Sequence, residues 1–325
     1  MFCIFLFLFA LKTNLHSISV ALASYNGSKY IEAQIDSILT QTLPPFEIVI
    51  SDDCSSDNTI EIIQKYCDQN SLIKLLPTKS RLGVVKNFEN AFRNCSGNYI
   101  AFSDQDDIWL PEKLEKSYIL LQKMEQEFGS TTPCLVFTDL QVVDDSLNQI
   151  SPSYIQSNKL APQNTSLSNL LVENVCTGCT ILFNRSLADL ISIFPPNIVM
   201  HDMFVAMVAS SFGKISCLNE STIMYRQHQN NVMGLSKNGF QKIINNTLGV
   251  LFNKNKKELF LEKEIQQAFA FYEIYHERLP KEVNEMLLGF ISLKLKSKIS
   301  RIEFLIRNNV IKGNALRNLN LLLKV

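Results

Sequence analysis

No net charge of either sign remains over the 325 residues, because 31 Lys and Arg balance 31 Asp and Glu. A general nucleic-acid binder carries a basic excess, so that class is set aside. The chain lacks a Gly-x-Gly-x-x-Gly after its first apolar segment, and it lacks Gly-x-x-x-x-Gly-Lys-[Ser/Thr]. Those absences argue against a dinucleotide cofactor and exclude a P-loop protein. Long hydrophobic runs are missing too. Phe2 to Leu11 is wholly apolar but spans only ten residues, well short of the ~20 that a membrane-spanning helix needs. No basic region precedes it, as a secretory signal would require. A membrane-touching anchor and an upstream extension of the true start both fit residues 1–16. There is no internal repeat.

Cysteine is present eight times, at Cys3, Cys54, Cys67, Cys95, Cys134, Cys176, Cys179 and Cys217. Several lie in apolar stretches, where a free thiol acts as a small hydrophobe. A chain of this size needs no disulfide framework, so a reducing cytosol is the expected compartment. Cys176-Thr-Gly-Cys179 has no second pair and reads as strand-edge packing rather than a metal or redox motif.

What the chain does have is alternation. Ile18 to Tyr25 reads as a strand. After the Asn26-Gly27 turn, Ile31, Ile35, Ile38 and Leu39 recur at helical spacing up to Pro44-Pro45. "FEIVISDD" is a second strand, and the helix after it opens with Asn58 and Glu61 spaced as a capping box. A short strand at Ile73 to Leu76, a helix from "RLGVVKNFENAF" and a strand in "NYIAFSD" follow. Four strand–helix alternations predict an α/β fold, a mostly parallel sheet covered by helices, whose ligands lie beyond the carboxyl ends of the strands. Further on, "CLVFTDLQVV" and "GCTILFN" read as strands, "HDMFVAMVASSF" as an apolar helix, and "STIMYRQHQNN" closes the region. The expected division is residues 1–16 as an apolar segment, 17–236 as the catalytic domain and 237–325 as a helical, basic extension. From Lys294 to Val325 eight basic residues accompany the single acid Glu303. Such a tail suits either an anionic membrane surface or a solvated cap on the main domain.

Aspartate collects at the predicted strand ends. Asp52 and Asp53 end the second strand; Asp104, Asp106 and Asp107 end the fourth, with Trp109 and Pro111 just behind. Asp is common in turns for its own sake. Three like charges at one loop, however, repel unless a cation joins them. Mg²⁺ or Mn²⁺ fits best, since hard ions take one or two carboxylates together with substrate phosphates.

The ordered blocks "SVALASYNGSKYIEAQIDSILTQTLPPFEIVISDDCSSDNT", "RLGVVKNFENAF" and "YIAFSDQDDIWLPEKL" resemble family 2 glycosyltransferases of the GT-A fold, over about residues 17 to 232. "TGCTILFN", "HDMFVAMVAS" and "YRQHQNNVMG" resemble the bacterial subgroup that includes rhamnosyltransferases of surface-polysaccharide (O-antigen or capsule) assembly. This resemblance implies a Rossmann-like fold with a C-terminal helical extension. It implies that Asp106 holds the metal on the donor diphosphate and that Asp104 contacts ribose or metal. Asp53, or Asp52, would meet the nucleoside, and Ala23, Tyr25 and Asn26 would line the base pocket. Asp202 stands in the general base's place, and His228 where some members supply a metal or phosphate ligand.

The implied reaction moves rhamnose or a hexose, with inversion, from dTDP-rhamnose or a UDP-hexose to a glycan or lipid-linked acceptor. It would take place in the cytoplasm, with contact to the inner face of the plasma membrane. Asp202 suits a helix N-cap equally, but the apolar run Met203 to Val208 around it would lift its pKa, as a general base needs. His201 and His228 suit strand-edge or capping roles as well. A haloacid-dehalogenase-type phosphatase is excluded: its Asp-x-Asp strand opens the fold and has Thr or Val two residues past the second Asp, whereas here Ile108 follows a fourth strand. A non-catalytic sugar-nucleotide-binding subunit of an assembly complex is the alternative to an enzyme.

Overall fold

The computed structural model describes residues 17–191, 193–228 and 261–325. The apolar segment 1–16, the end of the "YRQHQNNVMG" block and the start of the extension lie outside these. Strands β1 (Ile18–Ser24), β2 (Glu47–Asp52), β3 (Ile73–Leu76) and β4 (Tyr99–Ser103) run parallel in the order β3-β2-β1-β4. Their side chains alternate between two cores. Ile18, Val20, Leu22, Ile48, Ile50 and Ala101 face one; Ala21, Val49, Ile100 and Phe102 face the other. Both faces are covered, so the strands are apolar almost throughout. Helices α1 (Ile31–Leu39) and α2 (Thr59–Gln69) cover the first face with Ile31, Ile35, Ile38 and Ile63. Helix α3 (Val84–Arg93) covers the second with Phe88, Ala91 and Phe92.

Beyond β4 come β5 (Ile108–Trp109), α4 (Lys113–Phe128), β6 (Cys134–Val143), β7 (Gln149–Ser151), α5 (Tyr154–Ser157), α6 (Leu167–Leu170), β8 (Leu182–Asn184), α7 (Arg185–Leu190), α8 (His201–Phe212) and β9 (Lys214–Arg226). The sheet continues β4-β8-β6-β9-β5, with β7 on β6. Strands β6 and β9 share the direction of β1 to β4; β5, β7 and β8 oppose it. The result is a mixed, mostly parallel sheet flanked by helices. The ends of β1, β2, β4 and β6 therefore open on one edge.

Helices α9 (Glu262–Tyr275), α10 (Lys281–Ile291), α11 (Lys298–Arg307) and α12 (Ala315–Lys324) pack onto this body. Phe271 and Tyr275 of α9 meet Phe204 of α8 at 6.3 and 6.1 Å between ring centroids. Leu287, Phe290, Leu305, Val310 and Leu321 join the same core. Arg317 pairs with Glu173 at 2.9 Å, and the Gly313 N–H donates to the same carboxylate at 2.7 Å. On its inner face the basic extension is thus a packed cap.

Two local expectations change. Asn58 precedes α2, but its side chain caps nothing, and no capping box with Glu61 forms. Its φ of −75° and ψ of 12° are not the extended N-cap geometry. Asp57 takes over, accepting from Thr59 N (3.1 Å) and Ser28 N (3.2 Å). "STIMYR" proves to be the second half of β9, whose first half begins at Lys214 and is partly exposed.

Candidate active site

The site grows from the carboxyl ends of β1, β2 and β4. Asn26 takes a left-handed φ of 47°. Its N–H donates to Ser55 Oγ at 2.8 Å, and its side-chain carbonyl accepts from Ser56 N at 2.8 Å, tying the β1 loop to the β2 loop. Ala23 packs half-buried on the core. The two aspartates after β2 differ. Buried Asp52 is a fastener: it accepts from Ser24 Oγ, Ser55 N and Ser55 Oγ, each at 2.7 Å. Asp53 instead receives the N–H groups of Leu82 and Gly83, where α3 begins, with Arg81 Nε 3.8 Å away. The Arg81 guanidinium lies 4.0 Å over the Tyr25 ring. Tyr25, Asp53 and Arg81 thus form one wall of an aromatic, a carboxylate and a guanidinium, chemistry that suits a base and ribose.

The middle residue of Asp104-Gln105-Asp106 is not a spacer. Gln105 accepts from Tyr25 N (2.8 Å) and donates to Tyr25 O (2.9 Å), completing a strand-like pair with its amide. A Cβ on Gly27 would lie 2.1 Å from Gln105 Oε1, so the glycine makes room for this clamp.

Either side of Gln105 the carboxylates diverge. Asp106 Oδ2 meets His228 Nε2 at 2.8 Å, and the His228 ring stacks on Tyr30 at 4.8 Å. Burial, then the charges of Asp106 and Asp202, push the Asp104 carboxyl up to about 7. Asp107 turns inward, fully buried, with one oxygen receiving Arg226 N at 3.2 Å and the Cys179 thiol close by. Burial, with Asp106 and Asp104, raises it well above the carboxylate range. Arg226 Nε donates to the Asp106 carbonyl at 2.9 Å and so fastens the loop to β9.

Asp202 lies in the first turn of α8, where Met200 is the N-cap residue. Its carboxylate accepts from Gly178 N (3.0 Å) and Met203 N (2.6 Å). Burial raises its pKa to about 6, outweighing those backbone donors. His201 is buried, stacks on Phe88 at 3.9 Å, and burial drops its pKa to about 3.

The donor set fits a divalent cation. Two ligands at right angles in an octahedral shell lie about 3 Å apart, close to the spacing between Asp106 and His228. Ligating atoms of Asp104, Asp107 and Cys179 also lie within 4.8 Å of one another. Asp106 and His228 offer hard oxygen and imidazole ligands, and Asp104 stands beside them with a charge that a cation would relieve. Cys179 is buried, and it is a free thiol like every described cysteine, Cys176 among them. Its place behind the acidic loop, rather than at a strand edge, was hidden in the sequence. Arg81, Gln105 and Arg226 were also missed, because their roles are contacts to backbone or rings across long separations.

Comparison with known proteins agrees with this arrangement. Residues 19–191 match the family model described as glycosyl transferase family 2. The dTDP-rhamnosyl transferase RfbG of Shigella flexneri is 28% identical, over 85% of this chain and 94% of that protein. The UDP-Glc:alpha-D-GlcNAc-diphosphoundecaprenol beta-1,3-glucosyltransferase WfgD of Escherichia coli is 30% identical, over 70% of this chain and 82% of its own length. Among solved structures, S. aureus TarS 1–349 in complex with UDP-GlcNAc superposes with a TM-score of 0.54 at 18% identity, covering 89% of both chains. The mannosyltransferase PcManGT from Pyrobaculum calidifontis, in complex with GDP-Man and Mn²⁺, gives 0.52 at 15% identity, over 90% of this chain and 86% of that one. The family match covers more than half of the chain and contains β1, β2, β4 and the aspartates that end them, so the chain belongs to glycosyl transferase family 2 and is a GT-A-type glycosyltransferase.

Proposed function

We propose that this chain transfers rhamnose or a hexose from a dTDP- or UDP-linked donor to a hydroxyl of a glycan or lipid-linked acceptor in polysaccharide assembly, with inversion. The observation that carries this reading is the convergence of Asp202 on Asp104 from the other half of the chain. The charge of Asp202 adds to the cost of ionising Asp104, and burial holds Asp202 itself near 6. A base poised there takes the acceptor proton at neutral pH. The names of RfbG and WfgD support the two donor classes.

The wall of Tyr25, Asp53 and Arg81 binds base and ribose, with Asp52 and Asn26 holding its loops together and Ala23 as its floor. Asp106 and His228 would hold Mg²⁺ or Mn²⁺, which when bound supplies a Lewis-acidic counter-charge for the departing diphosphate. Asp104 orients the donor from the same loop. Asp202 removes the acceptor proton on the face opposite the leaving group. Gln105 fixes the distance between nucleotide wall and carboxylates. A lipid-linked acceptor puts the reaction on the cytoplasmic face of a membrane; among the described residues no helix is long and apolar enough to cross one.

The test is a screen of nucleotide-sugars with and without Mn²⁺, read as released nucleotide and as a rise in melting temperature, since a ligand of the native state alone stabilises it by mass action. One donor class that both stabilises and turns over, with metal only, is expected. Stabilisation without turnover under any acceptor would favour a non-catalytic binding subunit instead.

A further inference from the structure

The C-terminal helices carry two unlike faces. Inward, α11 sends Leu305 into the core and holds Arg301 on the carbonyls of Leu293 (2.9 Å) and Val325 (3.1 Å). Outward, Ile299 is 71% exposed and Ile306 64%. Seven residues apart, they share one side of the helix, with half-buried Ile302 between them. Leu295, in the short 3-10 turn before α11, is 90% exposed, and Leu288 of α10 is 47% exposed. Single surface apolar residues need no explanation, but a stripe at helical spacing on the solvent side does. Its rim carries exposed Lys298 and Arg307, Lys296 over the Phe304 ring at 4.9 Å, and Lys294, which pairs with Glu262 at 3.6 Å. Glu303 is the one acid between 294 and 325.

We propose that this face docks on an anionic lipid bilayer, with Leu295, Ile299 and Ile306 entering the acyl boundary and the lysines meeting lipid phosphates. Charge complementarity selects this occupant. An anionic membrane satisfies both the apolar stripe and its basic rim. The proposal goes beyond the transferase reading and needs no donor or acceptor to be tested.

Deleting residues 294–325 would not test it, because Leu305, Val310, Leu321 and Val325 belong to the core. Point variants on exposed positions serve instead. The full chain should co-sediment with vesicles containing phosphatidylglycerol, weakly with pure phosphatidylcholine, and less as salt rises. Leu295→Ser, Ile299→Ser and Ile306→Ser together should cut the partition coefficient by about tenfold or more. Lys296→Glu with Lys298→Glu should do the same at low salt. Melting temperature and nucleotide release from a soluble donor should not change in either variant. Equal sedimentation of wild type and the triple serine variant overturns the proposal. So does a wild-type dimer, seen by sedimentation velocity, that the serines disperse. Failure of every donor screen leaves the vesicle result standing.

Discussion

Asp106 and His228 lie 122 positions apart and meet at 2.8 Å, the acid at the end of β4 and the imidazole just after β9. The pair closes a ring, because Arg226, two residues before His228, also holds the Asp106 carbonyl. Asp106→Asn should therefore abolish metal-dependent nucleotide affinity, and His228→Ala should weaken it by about tenfold, or ~1.4 kcal/mol. Calorimetric titration of the nucleotide diphosphate with and without Mn²⁺ checks both. Equal affinity in Asp106→Asn would remove the metal from the acidic loop.

Asp202→Asn should leave donor affinity intact and lower kcat by about a hundredfold or more. The same change carries a stability signature. The folded carboxyl sits near 6 against an ordinary 3.8, so the native state binds this proton more tightly than the unfolded chain does. The stabilising contribution is complete below about 4 and lost as pH rises through about 6. Asp202→Asn should accordingly raise the stability of the ligand-free protein at pH 8, by about 3 kcal/mol, and barely at pH 4. Denaturant unfolding at the two pH values measures the difference.

The wild-type pH profile follows from the same group. The base form accumulates only above about 6, so kcat/KM should fall below that pH with unit slope. The residual activity of Asp202→Asn should show no such limb. An acid limb near 4 would mean that the proton is taken elsewhere.

Gly27 and Gln105 provide a third test. A methyl on Gly27 displaces the Gln105 amide, which is held by both backbone groups of Tyr25. Gly27→Ala should cost about 1–2 kcal/mol and raise the donor KM several-fold. Adding Gln105→Ala should restore stability but not KM, a coupling that a double-mutant cycle reads directly.

Glu47 tests the sheet rather than the site. Burial would raise its pKa, but hydrogen bonds from Lys74 (2.7 Å), Ser96 N (2.6 Å) and Ser19 (2.7 Å) hold it at about 2. The unfolded value is near 4.5, so its contribution is full above that pH and lost as pH falls toward 2. Glu47→Gln should cost about 2 kcal/mol at pH 7 and little near pH 2. Urea titrations at several pH values check this.

The first half of the fold was legible because its strands are buried on both faces and its helices carry regular apolar spacing. Ile73 to Leu76 was placed to the residue. Strand β5 has two residues, too few for a period to show, and of "GCTILFN", read as a strand, only Leu182–Asn184 is one, because Gly178–Thr180 turns as a 3-10 helix. The partly exposed first half of β9 mixes polar and apolar residues and was passed over. In the site, Asp104 and Asp106 drew notice as like charges collected at a strand end, and Asp202 through the family resemblance and its place before an apolar run. The engaged carboxylate of Asp52, the Gln105 clamp and Arg81 over Tyr25 depend on which loop lies beside which, and no local pattern encodes that.

Phe204 sits two residues past Asp202 and rests on Phe271 and Tyr275 of the first extension helix. Segments 200–212 and 262–279 are therefore one inheritance. A chimera that takes its front half from one relative and its tail from another would tilt the helix that carries Asp202, however faithfully the aspartates at the sheet edge were copied. Exchange of specificity between such enzymes should move both segments together.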